Sequence, residues 1–195
     1  MKTFAATKNL GKLEEMRAIF AGSEIEIASY ESYADPAEGE DSYSDNALLK
    51  ARALFAQLRQ AGISAAALGD DSGLEVAALA GAPGVLSARY GGPEATWPQR
   101  REQLLAAAAD ARDRSAKFVC AMALVLPDGR EIASYAEAAG SIAWNESGEF
   151  GFGYDPIFVD AGTGLTFAQL STGEKNRISH RARAAQQLLA ALADG

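Results

Sequence analysis

Gly69-Asp70-Asp71-Ser72-Gly73 sets two adjacent carboxylates and a hydroxyl between glycines, directly after the apolar run Ala65-Ala66-Ala67-Leu68. A short apolar run bounded by glycines reads as a buried strand. Carboxylates at the mouth of such a strand can hold a cation or move a proton. Successive strand side chains point to opposite faces, so Asp70 and Asp71 address different places unless the chain turns there. Gly73 permits that turn. An acidic turn in which Asp70 bonds its own backbone would use the same residues, and the motif alone does not separate the two readings.

Three further stretches carry candidate chemistry. Thr7-Lys8-Asn9-Leu10-Gly11-Lys12 joins an apolar segment, Thr3 to Ala6, to a helical pattern with Leu13, Met16, Ile19 and Phe20 on one side. Asn9 is placed to cap that helix. A strand, a loop with hydroxyl, amide and two lysines, and a helix N-terminus suit a phosphate, because backbone N–H groups and the helix dipole face the anion. The spacing is not that of a Walker loop, and an ordinary capped helix with solvated lysines has the same signature. Residues 35 to 46 are acidic and turn-rich. There Glu38, Glu40 and Asp41 offer the oxygen ligands of a hard divalent cation, or else form a solvated loop. In Glu149-Phe150-Gly151-Phe152-Gly153-Tyr154-Asp155-Pro156 glycines alternate with aromatics. The glycine order is not a dinucleotide fingerprint. A ring between glycines is free to stack on a planar base, and a bulged edge strand with a buried Phe is the plain alternative.

The elements that must position these groups follow from periodicity. From Asp45, the residues Ala47, Leu48, Ala51, Leu54, Phe55 and Leu58 trace a helix that Gly62 ends. Asn46 and Lys50 share a face one turn apart, within reach of the acidic loop before them. Gly81-Ala82-Pro83-Gly84 and Ser87-Ala88-Arg89-Tyr90-Gly91-Gly92 are turns or backbone that crosses close to something. Thr96 caps a helix with Pro98 in its first turn, and Asp110 to Ser115 form a linker. The nearly continuous apolar run Phe118 to Leu126 is a central strand buried on both faces, with Cys120 a small core residue. Pro127-Asp128-Gly129 turns it into a hairpin with Ile132 to Ile142. Trp144 receives no role. One last helix is expected from Ile178, Ala182, Ala185, Leu189 and Leu192. Lys175, Arg177, His180, Arg181 and Arg183 lie off its stripe near the start, where cations oppose the dipole and call for a negative or electron-rich partner.

Composition narrows the classes. The 195 residues, 48% hydrophobic and 23% charged, fit one domain or one domain with two lobes. A net charge of −8 argues against a nucleic-acid polymer as partner, although a local basic pocket can still take a small phosphorylated ligand. One cysteine and one histidine exclude an internal disulfide framework and a Cys/His zinc cluster. With no signal peptide and no long apolar run, the expected location is the cytoplasm, without a membrane partner.

Taken together and in order, six blocks resemble the inosine triphosphate pyrophosphatase family, the dITP/XTP pyrophosphatases that remove non-canonical purine nucleotides. They are residues 7–12, Asp45-Asn46-Ala47-Leu48-Leu49-Lys50-Ala51, Asp70 to Leu74, Gly81 to Gly84 with Ser87 to Tyr90, Gly151 to Pro156, and Glu174-Lys175-Asn176-Arg177-Ile178-Ser179-His180-Arg181. The resemblance implies an α/β fold with an elongated mixed sheet flanked by helices, and two lobes with the active-site cleft between them. It implies a homodimer that cleaves ITP, dITP or XTP to the monophosphate and pyrophosphate with Mg2+. It further implies that Thr7, Lys8, Asn9, Leu10, Gly11 and Lys12 hold the triphosphate and that Asp71 is the acid/base residue and a magnesium ligand. Ser72 then contacts substrate, and Phe152, Gly153, Tyr154 and Asp155, with Lys175, His180 and Arg181, form the base and sugar pocket. The family's Glu-Glu-Thr-Gly is replaced here by Ala37-Glu38-Gly39-Glu40. Counting back from Asn46 favours Glu38 as the second metal ligand, with Glu40 the alternative. His180 and Arg181 as donors suit the C6 oxygen of hypoxanthine and xanthine and oppose the amine of adenine. The runner-up is a Maf-type pyrophosphatase acting on modified pyrimidine or other nucleotides; the non-enzymatic alternative is a nucleotide-binding module without turnover.

Overall fold

The structure, a computed structural model, describes residues 1–40 and 42–194. Asp41, one of the three acidic candidates of the 35–46 loop, lies outside the described residues. The elements run β1 (Lys2–Ala5), α1 (Leu10–Ile19), β2 (Glu26–Ser29), α2 (Tyr43–Gln60), β3 (Ala66–Val76), β4 (Pro83–Gly84), α3 (Trp97–Ala107), β5 (Ser115–Val125), β6 (Glu131–Ile142), β7 (Phe158–Asp160), α4 (Thr172–Ile178) and α5 (His180–Ala193). Hydrogen bonding orders the strands β2-β1-β3-β5-β6-β7, with β4 on β3. The sheet is mixed: β1 pairs in parallel with β2 and β3, whereas β4 on β3 and β7 on β6 are antiparallel. Among the described residues no helix is long and apolar enough to cross a membrane.

The chain divides into two compact units, the first comprising Met1–Asp71, Cys120–Ala136 and Arg181–Gly195, the second Ser72–Val119 and Glu137–His180. In the first unit strand alternation sorts the core. Ala66 and Leu68 pack with Leu13, Met16 and Phe20 of α1 and Ala184, Ala185 and Leu188 of α5. Ala65 and Ala67 pack instead with Leu54 and Leu58 of α2. Even and odd positions of β3 therefore face different helices, as the period of two requires. The second unit closes on Leu74, Val76, Leu104, Phe118, Ile142, Tyr154, Phe158 and Phe167.

Two expectations change. No turn occurs at Gly73: β3 runs from Ala66 to Val76 straight through the acidic motif, and β4 extends its pairing beyond it. The expected single C-terminal helix is two, because Ser179 adopts φ −66°, ψ 157° and breaks the ladder between α4 and α5. Ile178 accordingly joins the second unit's core rather than the stripe of α5. Lys175 and Arg177 then occupy the last turn of α4, where the dipole favours cations instead of opposing them.

Candidate active site

The alternation that sorts the core continues through the acidic pair. Asp70, an even position, lies on the side of α1 and α5. Lys12 Nζ donates to its Oδ1 at 2.6 Å, and Arg181 donates through Nε to Oδ2 at 2.9 Å and through Nη2 to Oδ1 at 3.4 Å. The Cys120 thiol donates to Oδ2 at 3.2 Å, and Arg181 Nη1 donates to Glu15 Oε2. All five side chains belong to the first unit. Burial alone would push the Asp70 carboxyl up, but Arg181 and Lys12 outweigh it and hold Asp70 well below the usual carboxylate range. For Arg181 burial pulls down, and Asp70 and Glu15 more than restore the charge. Burial, then the Asp70 charge, pushes the Cys120 thiol well up, so it stays protonated as a donor.

Asp71, an odd position, faces α2. Lys50 Nζ donates to its Oδ1 at 2.8 Å and Asn46 Nδ2 to its Oδ2 at 3.1 Å. The same ammonium lies 2.6 Å from Glu38 Oε1. Asn46 also ties down the acidic loop, accepting from the Gly39 N–H at 2.8 Å and donating to the Gly39 carbonyl at 3.0 Å. Gly69 makes the approach of α2 possible. A Cβ there would lie 2.0 Å from the Ala47 carbonyl oxygen and 2.8 Å from the Ala51 nitrogen. Burial would lower the Lys50 pKa, but Asp71 and Glu38 raise it above the ordinary lysine value. Glu38 and Asp71 are thus two hard oxygen donors brought to one cation, whereas Glu40 is exposed. Among the described residues no group of three or more His, Cys, Asp or Glu side chains is arranged to hold a metal ion. A divalent ion held by this pair would take its remaining ligands from water or phosphate, as magnesium commonly does.

The Thr7 to Lys12 loop has the expected form. Asn9 caps α1, its Oδ1 accepting from the Lys12 N–H at 3.1 Å, and Thr7 Oγ1 accepts from the Asn9 N–H at 3.1 Å. Lys8 makes a solvated contact with Asp35 at 3.3 Å, the weak kind of surface pair. Leu10 is exposed, at 73%.

In the second unit the aromatic-glycine stretch is a chain of bends and turns leading into a single 3-10 turn at Asp155–Ile157, not a bulged strand. Gly148, Gly151 and Gly153 have φ of +90°, +74° and +64°. At Gly151 a Cβ would also strike Asp155 Oδ2 at 2.0 Å. Asp155 Oδ2 accepts from the Phe152 N–H at 2.8 Å and from Lys175 Nζ at 2.5 Å. The Lys175 ammonium stands 5.1 Å from the Phe152 ring centroid and 5.5 Å from that of Phe167. His180 is buried and stacks on Phe118, centroids 4.6 Å apart at 11°, with the nearly parallel Phe167 ring 6.4 Å away. Tyr154 donates its hydroxyl to the Ser87 carbonyl at 3.0 Å and meets Trp97 edge-on at 5.4 Å. Ser72 follows Asp71 on β3 and is half-buried.

Of the residues expected at the site, Thr7 to Lys12, Glu38, Asp71 and Arg181 fall in the first unit, and Ser72, Phe152 to Asp155, Lys175 and His180 in the second. Arg181 differs most from its expected setting: its guanidinium nitrogens engage Asp70 and Glu15, and the residue is 2% exposed. Sequence reasoning missed Glu15, whose sole signal is its spacing of one turn from Lys12. It noticed the shared face of Asn46 and Lys50 without their common partner, Asp71. Trp144 also acquires a contact, Arg114 lying 4.1 Å over its ring.

The profile of the Ham1 family matches residues 3–191. A dITP/XTP pyrophosphatase of Caulobacter vibrioides is 42% identical over 199 residues, covering 99% of this chain and 98% of its own. One of Syntrophobacter fumaroxidans is 40% identical over 190 residues, 94% of this chain and 78% of its own. Among solved structures, a HAM1 protein from Coxiella burnetii superposes with a TM-score of 0.82 at 38% identity, covering all of both chains.

Proposed function

This chain belongs to the Ham1 family, and on that premise we propose that it hydrolyses ITP, dITP and XTP to the nucleoside monophosphate and pyrophosphate, with magnesium. The observation that carries the reading is the opposite presentation of the two aspartates. Asp70 is locked among Lys12, Arg181 and Cys120, and Asp71 shares the Lys50 ammonium with Glu38. The first arrangement fixes structure; the second gathers oxygen donors and a cation where a phosphate can be met.

The triphosphate is assigned to Thr7 to Lys12, where the N-terminus of α1 offers backbone N–H groups and a favourable dipole. Glu38 and Asp71 are the residues that would hold magnesium, which when bound supplies positive charge against the phosphate oxygens. Lys50 keeps the two carboxylates from repelling one another and orients Asp71. Asp71 accepts the proton of the water that attacks phosphorus, with Asn46 fixing its second oxygen. Base and sugar are assigned to Phe152, Gly153, Tyr154, Asp155, Lys175 and His180, with Ser72 touching substrate. A ring N–H of His180 suits an acceptor oxygen at C6 and opposes the amine of adenine, a mismatch of about 1–3 kcal/mol. Arg181 is assigned to holding Asp70 rather than to the base. A homodimer working in the cytoplasm completes this reading.

The test is pyrophosphate release across a panel of ITP, dITP, XTP, the four ordinary nucleoside triphosphates and modified pyrimidine nucleotides, with and without magnesium. Leading rates on ITP, dITP and XTP are expected. A lead by the modified pyrimidines would favour Maf-type chemistry, and no release from any would leave a binding module.

A further inference from the structure

Arg101 of α3 makes a three-point grip that none of the assigned roles uses. Its Nε and Nη2 donate in parallel to Glu146 Oε1 and Oε2 at 2.9 and 3.0 Å, and its Nη1 donates to the Gly153 carbonyl at 2.9 Å. The Arg101 side chain is only 12% exposed. One turn earlier on the same helix, Trp97 packs edge-on against Tyr154. Residues 97 and 101 of α3 therefore hold Gly153 and Tyr154 from one helix face. Gly151 and Gly153, on either side of Phe152, take φ of +74° and +64°, a conformation that glycine alone adopts freely. A planar guanidinium with a fixed fork is suited to setting the course of such a loop: two donors are anchored on a carboxylate and the third is aimed at a carbonyl.

We propose that Arg101, oriented by Glu146, is a positioning residue that sets the course of the Phe152 to Asp155 loop and so governs binding of the base. The inference rests on the assignment of base and sugar to that loop. Lysine in its place keeps the charge but loses the fork.

The test compares wild type with Arg101→Lys, Arg101→Met and Glu146→Gln. Amide hydrogen exchange at Phe152 and Gly153 reads the loop without any substrate. Steady-state kinetics on ITP, with tripolyphosphate as a base-free competitor, reads its consequence. Arg101→Met is expected to speed exchange of these amides and to raise KM for ITP about tenfold, the weight of one charge-assisted hydrogen bond, with the inhibition constant of tripolyphosphate unchanged. Arg101→Lys should fall between, and Glu146→Gln should be mild. Unchanged exchange in Arg101→Met, or equal weakening of ITP and tripolyphosphate, would overturn the proposal. Should wild type fail to cleave ITP, the functional assignment falls, while the exchange data still decide whether Arg101 holds the loop.

Discussion

Lys50 Nζ lies 2.8 Å from Asp71 Oδ1 and 2.6 Å from Glu38 Oε1. One buried ammonium thus joins the odd face of β3 to the acidic loop that precedes α2. A lone buried lysine would lose its proton readily; here the two carboxylates raise its pKa instead.

Replacing Lys50 by Met leaves Asp71 and Glu38 facing each other without a cation. The expected loss in kcat/KM for ITP is about a hundredfold, in line with removing a preorganised charged donor. The conservative variant Lys50→Arg should recover part of it. Steady-state kinetics on the purified variants decides, and near-normal turnover by Lys50→Met would contradict the role.

Glu38 and Glu40 differ in their surroundings, Glu38 touching Lys50 and Glu40 lying exposed. Glu38→Gln should therefore raise the magnesium concentration for half-maximal activity about tenfold or more, and Glu40→Gln should leave it near wild type. A magnesium titration of ITP hydrolysis separates them; the reverse order would assign the ligand to Glu40.

Asp70 contributes to the acid sensitivity of the fold. Its pKa is held far below the unfolded value of about 3.9, so its contribution is full above that pH and is lost as pH falls further. Asp70→Asn leaves Arg181 and Lys12 less compensated and should cost about 3 kcal/mol at neutral pH. It should also flatten the acid limb of stability below about pH 4. Urea unfolding from pH 3 to 7 reads both; an acid limb as steep as that of wild type would count against it.

Gly69 is dictated by contact with α2, not by backbone conformation. The collision of any Cβ with the Ala47 carbonyl and the Ala51 nitrogen involves backbone, which yields little. Gly69→Ala should lower stability by about 3 kcal/mol and, by pushing α2 away, loosen the Asn46 and Lys50 contacts to Asp71. Thermal unfolding with activity measured well below the transition checks this, and a fully stable, fully active variant would refute it.

Much of this was legible in local sequence. The caps at Asn9 and Thr96, the hairpin around Asp128 and the buried strand through Cys120 follow from short-range rules and stand in the structure. Alternation along β3 already separated Asp70 from Asp71. Their partners were not legible, because Arg181 is 111 positions from Asp70 and Lys50 21 from Asp71. The turn that Gly73 permits does not form, because pairing with β4 continues the strand. The break at Ser179 was hidden because Ile178 keeps the helical spacing of Ala182 and Ala185 while belonging to a different core. Arg101 and Glu146, 45 positions apart, gave no pattern at all.

The most direct test is product formation from ITP at saturating magnesium by wild type and by Asp71→Asn. Wild type should yield IMP and pyrophosphate, and Asp71→Asn should retain less than about a hundredth of that rate while remaining folded. Near-normal turnover by Asp71→Asn, or formation of IDP and phosphate by wild type, would contradict the account.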